Sequence, residues 1–541
     1  MARGIAALLG VIALVVGLQS WVSREKGRPP PVVDDGCAGC HADVRGLEAA
    51  HAGQSCAACH LGNPRTSEEK LAHVGLVRIP GNVADMDRTC GSAGCHAELP
   101  HRLRNNIMNT MNGVVSVDRW VFGEQPTPTA KTPVASLAHS PADTHLRNLC
   151  ASCHLGNPKT EYGPLDETSR GGGCLACHLK RTARRDVHPT LSVKPEPIAC
   201  FGCHARSGRV SLNFDGWQEF AGDAGEAPTR ALKDGRVVKK GTADVHAERG
   251  LGCVDCHGSW EVMGDGTSAL HREEQSTLQC TDCHLVRAPV TKGLHELDPE
   301  SLKVASLEGF ARPERRFLTV QKSGVALVNT FATDGGVFLT GKYSGKTAVL
   351  KAPSEACLKQ EHAALSCGAC HEAWVPQCVT CHTRFDPDGG MFDLLANEEA
   401  SGEWLEEGGE PRAEPATLGV RMLSDGGRRI EEFAPGMVLT LDGKFHRLFA
   451  PVFAHTVRRE ARTCEGCHRD PLALGYGRGV LRRDARRQWT FEPRGPLRPE
   501  DGLPEDAWIG LFQTRGPEST TRENTRPFTP EEQRRVLDAL P

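Results

Sequence analysis

His145-Leu-Arg-Asn-Leu-Cys150-Ala-Ser-Cys153-His154-Leu-Gly-Asn-Pro-Lys-Thr160 repeats, 94 residues on, the stretch His51-Ala-Gly-Gln-Ser-Cys56-Ala-Ala-Cys59-His60-Leu-Gly-Asn-Pro-Arg-Thr66, with ten of sixteen positions identical. The constant centre of both is Cys-x-x-Cys-His. It occurs ten times, with cysteine pairs Cys37/Cys40, Cys56/Cys59, Cys150/Cys153, Cys174/Cys177, Cys200/Cys203, Cys253/Cys256, Cys280/Cys283, Cys367/Cys370, Cys378/Cys381 and Cys464/Cys467. An eleventh pair is stretched, Cys90-Gly-Ser-Ala-Gly-Cys95-His96. Only Cys357 of the 23 cysteines is left over, and it reads as a small buried residue. The repeat marks a duplicated module, and the shared Asn-Pro marks a turn after each motif.

Two thiols three positions apart with His directly after them point to covalent attachment of c-type haem. The thiols add to the two vinyl groups on one porphyrin edge, and the next residue places an imidazole on the iron. Zinc ribbons do not need His after the second Cys. Disulfide frameworks give no reason for it, and redox Cys-x-x-Cys motifs occur once or twice in a domain. The pattern predicts eleven covalent haems, with the two extra residues of the stretched pair bulged out. The expected proximal ligands are His41, His60, His96, His154, His178, His204, His257, His284, His371, His382 and His468.

Twelve histidines remain: His51, His73, His101, His139, His145, His188, His246, His271, His295, His362, His446 and His455. All lie between the first and last motifs. Eleven irons with two imidazoles each would use eleven of them, so these twelve are the candidate distal ligands. His51, His145 and His362 stand five residues before a motif, and His271 and His455 nine before. Met would raise the potential, but Met86, Met108 and Met111 read as packing residues. Which iron each distal His reaches, and which His is spare, the sequence leaves open.

The chain has 541 residues, 39% hydrophobic and 5% aromatic, with 58 Gly and 35 Pro. That is too polar for a polytopic membrane protein and poor in ordinary core material. The balance of 64 basic and 68 acidic residues argues against a nucleic-acid binder and against disorder. Arg3 followed by the Ile5–Leu18 apolar run reads as an export signal or a retained anchor, so residues 1–36 are signal or anchor plus a Pro-rich linker. Then come a six-haem module over 37–210, a two-haem segment over 211–300 and a β-rich insert over 301–356. A second two-haem segment spans 357–390, a second β-rich insert 391–463, and the last motif with its tail 464–541. Phe317–Val320, Val325–Phe331, Val337–Thr340 and Ala348–Leu350 predict an antiparallel meander with Gly turns. Residues 416–450 repeat that signature. Thr529-Pro530-Glu531-Glu532 predicts a capped C-terminal helix. Residues 101–112 read as a short helix, with Arg102, Arg104 and Arg119 as partners for haem propionates.

The 432 residues from Cys37 to His468 leave too little chain for one domain per haem, so the haems are expected to share a core and pass electrons between them. The chain resembles the multihaem c-type cytochromes, bis-His electron-transfer proteins of bacterial respiration, over 37–468. The resemblance implies haem c at every Cys pair, distal His at most irons, and a haem-packed fold that is mostly irregular and α with small antiparallel β inserts. No Cys-x-x-Cys-Lys motif of the pentahaem nitrite reductases occurs. Only Tyr162, Tyr343 and Tyr476 are available for a crosslinked haem like that of hydroxylamine oxidoreductase. The expected function is an exported electron carrier or conduit of anaerobic or extracellular respiration, periplasmic, anchored to the inner membrane or at the cell surface. The expected partners are redox protein donors and acceptors, a membrane quinol-oxidising complex or outer-membrane conduit among them, and not nucleic acid. The alternatives are a reductase of a small nitrogen or sulfur oxyanion with one open haem, and a structural scaffold or electron reservoir. With eleven haems the formal charge falls to about −15 when oxidised, which favours a basic partner.

Overall fold

The computed structural model describes residues 36–41, 44, 50–162, 165–180, 188–222, 228–358, 360–378, 382–407, 411–441, 444–494, 507–508 and 520–540. The Ile5–Leu18 run, the Pro-rich linker and Cys381 lie outside them, as does the side chain of His446. Among the described residues no helix is long and apolar enough to cross a membrane.

Up to residue 216 the described chain is short helices and turns, with no named strand. The helix expected over 101–112 is broken into Leu99–Asn105 and Ile107–Thr110. Asn106 is extended between them, and its side chain caps the second piece by accepting from the Met108 amide at 2.8 Å. Met111, at φ 52°, turns the chain into a further helix, Asn112–Val121. Its Val115 packs with Val134, Leu137, Leu146 and Ala151 around the helix Pro141–Leu149. That helix begins on Ser140, whose hydroxyl accepts from the Asp143 amide, and has Pro at its first turn, the usual signals for a helix start. Met86 is fully buried against Leu103 and Leu155.

The meander forms where its β-branched and aromatic runs predict it. Strands Arg316–Thr319, Ala326–Thr333, Gly336–Thr340 and Thr347–Val349 pair antiparallel in chain order, and Thr291–Gly293 adds a fifth at the edge. Phe317, Val328 and Phe331 close its core against Ala305 of the helix Pro299–Leu307.

A second sheet orders its strands Glu398–Glu407, His382–Asp393, Arg428–Leu441, Thr417–Met422 and Thr525–Pro527, with Lys444–Pro451 also paired to Arg428–Leu441. Its first strand in the chain begins on a motif residue: His382 pairs in parallel with Val438 and antiparallel with Glu407. The C-terminal helix Pro530–Asp538 starts on Thr529 with the predicted capping box, and its Leu537 packs with Leu418, Val420, Leu474 and Tyr476. A two-stranded hairpin, Gly479–Arg483 with Trp489–Pro493, follows the last motif.

Candidate metal centres

One helical turn puts residues i and i+3 on one face, so a helical Cys-x-x-Cys turns both thiols the same way. Most motifs take this form. Cys37–Cys40 is a single helical turn. Cys56–His60 and Cys367–His371 are helices capped by Ser55 and Ser366. Cys253–Cys256 and Cys280–Cys283 are closed by Asp255 and Asp282, whose carboxylates accept from the Gly252 and Gln279 amides at 2.8 Å. The His amide donates to the carbonyl of the first Cys in several motifs, His41 to Cys37, His178 to Cys174, His257 to Cys253, His284 to Cys280 and His468 to Cys464 among them, at 2.8–3.1 Å. The stretched motif makes the same closure, His96 amide to Cys90 carbonyl at 3.0 Å. Its extra residues are taken up by a turn in which Gly94 has φ 85°, a conformation that suits Gly. Residues 90–96 therefore present the same ends as the regular motifs.

Among the described residues, six motif histidines each face a histidine from outside the motifs. The pairs are His41/His73, His60/His188, His96/His51, His257/His455, His284/His246 and His468/His362, with ring centres 6.0–6.5 Å apart. A metal–imidazole bond of about 2.0–2.1 Å on each side, plus roughly 1.2 Å from ring nitrogen to ring centre, would separate two axial imidazoles by roughly 6.4 Å. The donor set thus fits a group with an imidazole on each face.

The orientation of the rings fits as well. Many of these histidines hold Nδ1 in a hydrogen bond, which leaves Nε2 for a metal. In the motifs, Nδ1 of His60, His154, His178 and His468 meets the carbonyls of Val77, Ala151, Ser192 and Val536 at 2.6–2.9 Å. Among the facing histidines, His188 and His455 bond the Pro189 and Phe453 carbonyls, and His246 bonds Asp244 at 2.8 Å. His257 bonds Glu261 at 2.5 Å. Burial pushes the His257 imidazole down, but the Glu261 carboxylate outweighs it and the net shift is upward. The spacings Asp244/His246 and His257/Glu261 were visible in the sequence, but no rule singles them out. Asp118, the partner of His145, lies 27 residues away and left no signal.

The remaining free histidines are spread out. His145 is buried between Phe122 and Trp404, its Nδ1 on Asp118 at 3.0 Å and its Nε2 without a hydrogen-bond partner. His271 is half-buried over Gly113, and burial drives its imidazole down to about 4. His101, His139 and His295 are exposed. Motif histidines His154 and His382 are buried, and His204 and His371 half-buried.

Thiols of different motifs also meet. Cys90 hydrogen-bonds Cys174, Cys153 bonds Cys203, Cys200 bonds Cys253, and Cys280 bonds Cys367. The bond from Cys203 holds the Cys153 thiol down to about 6, and the bond from Cys280 does the same for Cys367, favouring the thiolate, the nucleophilic form. Among the described residues no three His, Cys, Asp or Glu side chains converge as a ligand set; the recurring unit is the facing pair.

The attachment thiols differ in exposure. Cys40 of the first motif is exposed, as are Cys56, Cys95 and Cys464. The reason at Cys40 is local: its helix Cys37–Cys40 is one turn long, buries none of its residues and has no side-chain cap. One expectation is corrected: Cys357 is exposed, not buried, its Sγ 3.5 Å from the Ser354 hydroxyl; a polar loop with no apolar neighbours in the core clusters carries it. Arg102, Arg104 and Arg119, expected as partners for propionates, are ion-paired with Glu300, Asp87 and Asp143. The guanidinium nitrogens that are buried without a partner belong elsewhere: Nε of Arg458, Nη1 of Arg462 and Nε of Arg522. Buried donors of this kind are rarely left unsatisfied, and carboxylate-bearing groups such as propionates fit them. No protein-family model, curated protein or solved structure matches the chain.

Proposed function

We propose that this chain is an exported multihaem cytochrome c that carries electrons through covalent haems held at its eleven Cys-pair motifs. One observation carries the reading: six facing pairs of histidines among the described residues, each joining a motif His to a free His at a ring separation that would suit an iron held between them. Bound haem c supplies a reversible one-electron iron couple whose potential is set by ligands and surroundings. The protein's part would be to fix both imidazoles; Nδ1 hydrogen bonds support this on both rings of His60/His188 and His257/His455, and on His246 and His468 in two further pairs. On this reading His51, His73, His188, His246, His362 and His455 would be the distal ligands. His145, with a buried and unpartnered Nε2, is the next candidate.

The test begins with intact mass of protein matured in a host with cytochrome c assembly machinery, expected to show eleven haem additions. A clean ten would remove the stretched motif. The reduced protein should be low-spin and leave its spectrum unchanged under carbon monoxide. Binding by about one haem equivalent, with turnover of nitrite, hydroxylamine or tetrathionate, would replace this reading by the reductase.

A further inference from the structure

The last motif stands at one end of the chain of motif contacts. It is tied to the ninth motif: His362, just before Cys367, faces His468, and the Arg462 amide donates to the Cys370 carbonyl at 2.7 Å. The described thiols of the motifs from Cys150 to Cys370 are half-buried, whereas Cys464 is exposed. The end of the array therefore opens to solvent here.

The hairpin beside that end carries a positive excess, against the trend of the molecule, with Glu492 paired to Arg482 at 3.2 Å and Asp538 to Arg483 at 3.5 Å. Residues 478–494 hold six arginines and only two carboxylates, Asp484 and Glu492. They form the Gly479–Arg483/Trp489–Pro493 hairpin, and Arg482, Arg483, Arg486, Arg487 and Arg494 are exposed. The Asp484 carboxylate is turned inward on the loop, accepting from the Arg486 and Gln488 amides at 2.9 and 2.8 Å. Its side chain thereby shapes the turn that presents Arg486 and Arg487 at the tip. The hairpin is fastened to the motif: Arg469, next to His468, stacks on Trp489 at 4.5 Å, and Arg483 covers the same ring at 5.4 Å. Trp489 Nε1 also donates to Asp538 of the C-terminal helix at 2.9 Å.

We propose that this arginine-rich face beside Cys464–His468 is the docking surface for an acidic redox protein, one that exchanges electrons at the exposed end of the haem array. This rests on the haem reading of the last motif. Opposite charge raises encounter rates by orders of magnitude at low salt and fixes which face meets which. The overall negative charge would steer an acidic partner away from the rest of the surface, so the positive patch also selects the site. Each encounter moves one electron: the partner's cofactor is oxidised by one, the cytochrome reduced by one, and no bond is made or broken.

A flavodoxin, acidic and carrying one-electron flavin chemistry, is a suitable probe. Stopped-flow reduction of the oxidised holoprotein by reduced flavodoxin should slow steeply as salt rises, because surface charges are screened. The triple variant Arg482→Glu/Arg486→Glu/Arg487→Glu should lose at least about tenfold in the second-order rate at low salt, and flavodoxin binding should weaken with it. Glutamine at the same positions should give an intermediate loss. A control with the same charge change on the other sheet, Arg316→Glu/Lys346→Glu/Lys351→Glu, should leave at least half the rate. Haem count by mass is taken on every variant. Eleven haems with an unchanged flavodoxin rate in the hairpin variant, or an equal loss in the control, would overturn the docking proposal. Equal losses with a basic carrier such as mitochondrial-type cytochrome c would overturn it too. Absence of haem at 464–468 in the wild type would instead remove the haem reading on which it stands.

Discussion

The two copies of the repeat share their attachment residues and differ in almost everything around them. In 51–66, Ser55 caps the helix Cys56–His60, and the chain leaves through Leu61 at φ 56° and Gly62 at φ 75°. His51 is half-buried and faces His96. In 145–160, Leu149 stands where Ser55 stood and ends the helix Pro141–Leu149 instead of starting one. The Cys pair then sits in a tighter turn, Ala151–Cys153, and His145 is buried. The non-identical positions do this. Leu146 fills the core where the first copy has Ala52. Arg147, in place of Gly53, reaches Asp393 at 2.7 Å, and Asn148 accepts from the Trp404 amide at 2.8 Å. The shared residues carry the chemistry; the differing ones dock the second copy onto the 382–407 hairpin.

Substitutions at matched positions can break that contrast. The largest loss is expected from Arg147→Ala, which leaves the buried Asp393 without its cation; removing one partner of a buried pair costs about 3–5 kcal/mol, read from thermal melting. Leu146→Ala, which restores the first copy's residue, should cost about 2–5 kcal/mol. Melting within about 0.5 kcal/mol of wild type would show that the second copy is not held by its core.

Acid sharpens the comparison. Burial pushes the Asp143 carboxyl up, but hydrogen bonds from Arg119 and the Ala138 amide outweigh it and hold the group below its ordinary value. A carboxylate lowered on folding stabilises the fold above its unfolded pKa of about 3.9 and loses that contribution as pH falls through the folded value. The stability gap between wild type and Asp143→Asn should be full at pH 6 and shrink as the pH falls below 4.

Smaller effects are expected in the first copy. Ser55→Ala removes the hydroxyl that accepts from the Ala58 amide at 3.2 Å and should cost about 1 kcal/mol, with faster exchange of amides 56–60. Ala52→Leu, on an exposed position, should change stability by less than about 0.5 kcal/mol. A large gain there would mean that the first copy has an unfilled site like that of Leu146.

The meander and the C-terminal helix were legible because their signals are local: β-branched runs between Gly turns, and a capping box before an amphipathic segment. The 382–407 hairpin was legible only in its second strand, which falls within the expected 391–463 insert; its first, beginning on the motif residue His382, was not. Its residues are acidic and Gly-rich, poor strand formers, and it is held by His382 beside Val438 and by Trp404 against Phe122 and His145. Asn112–Val121 likewise carries four valines and a glycine, weak helix formers, and packing of Val115 supports it. The carboxylate partners of Arg102, Arg104 and Arg119 were not legible either, since Glu300, Asp87 and Asp143 come from distant or unmarked positions. Burial of the thiols was equally illegible: Cys40 and Cys370 close identical motifs, yet one is exposed and the other half-buried, because neighbours from other segments decide it.

What the sequence determined by itself is the inventory of chemistry. On the haem reading, paired thiols and the adjacent imidazole sit within five residues, or seven in the stretched motif, because they would act on one edge and one face of the same group, so their pattern survives as a string. Which free His faces which motif His is a matter of tertiary structure alone. His60 meets His188, His468 meets His362, and His257 meets His455, partners separated by one to two hundred residues that share no motif. An imidazole approaching from the far side of a flat group has no covalent tie to the near side, so any segment can deliver it, and only packing selects the one that does.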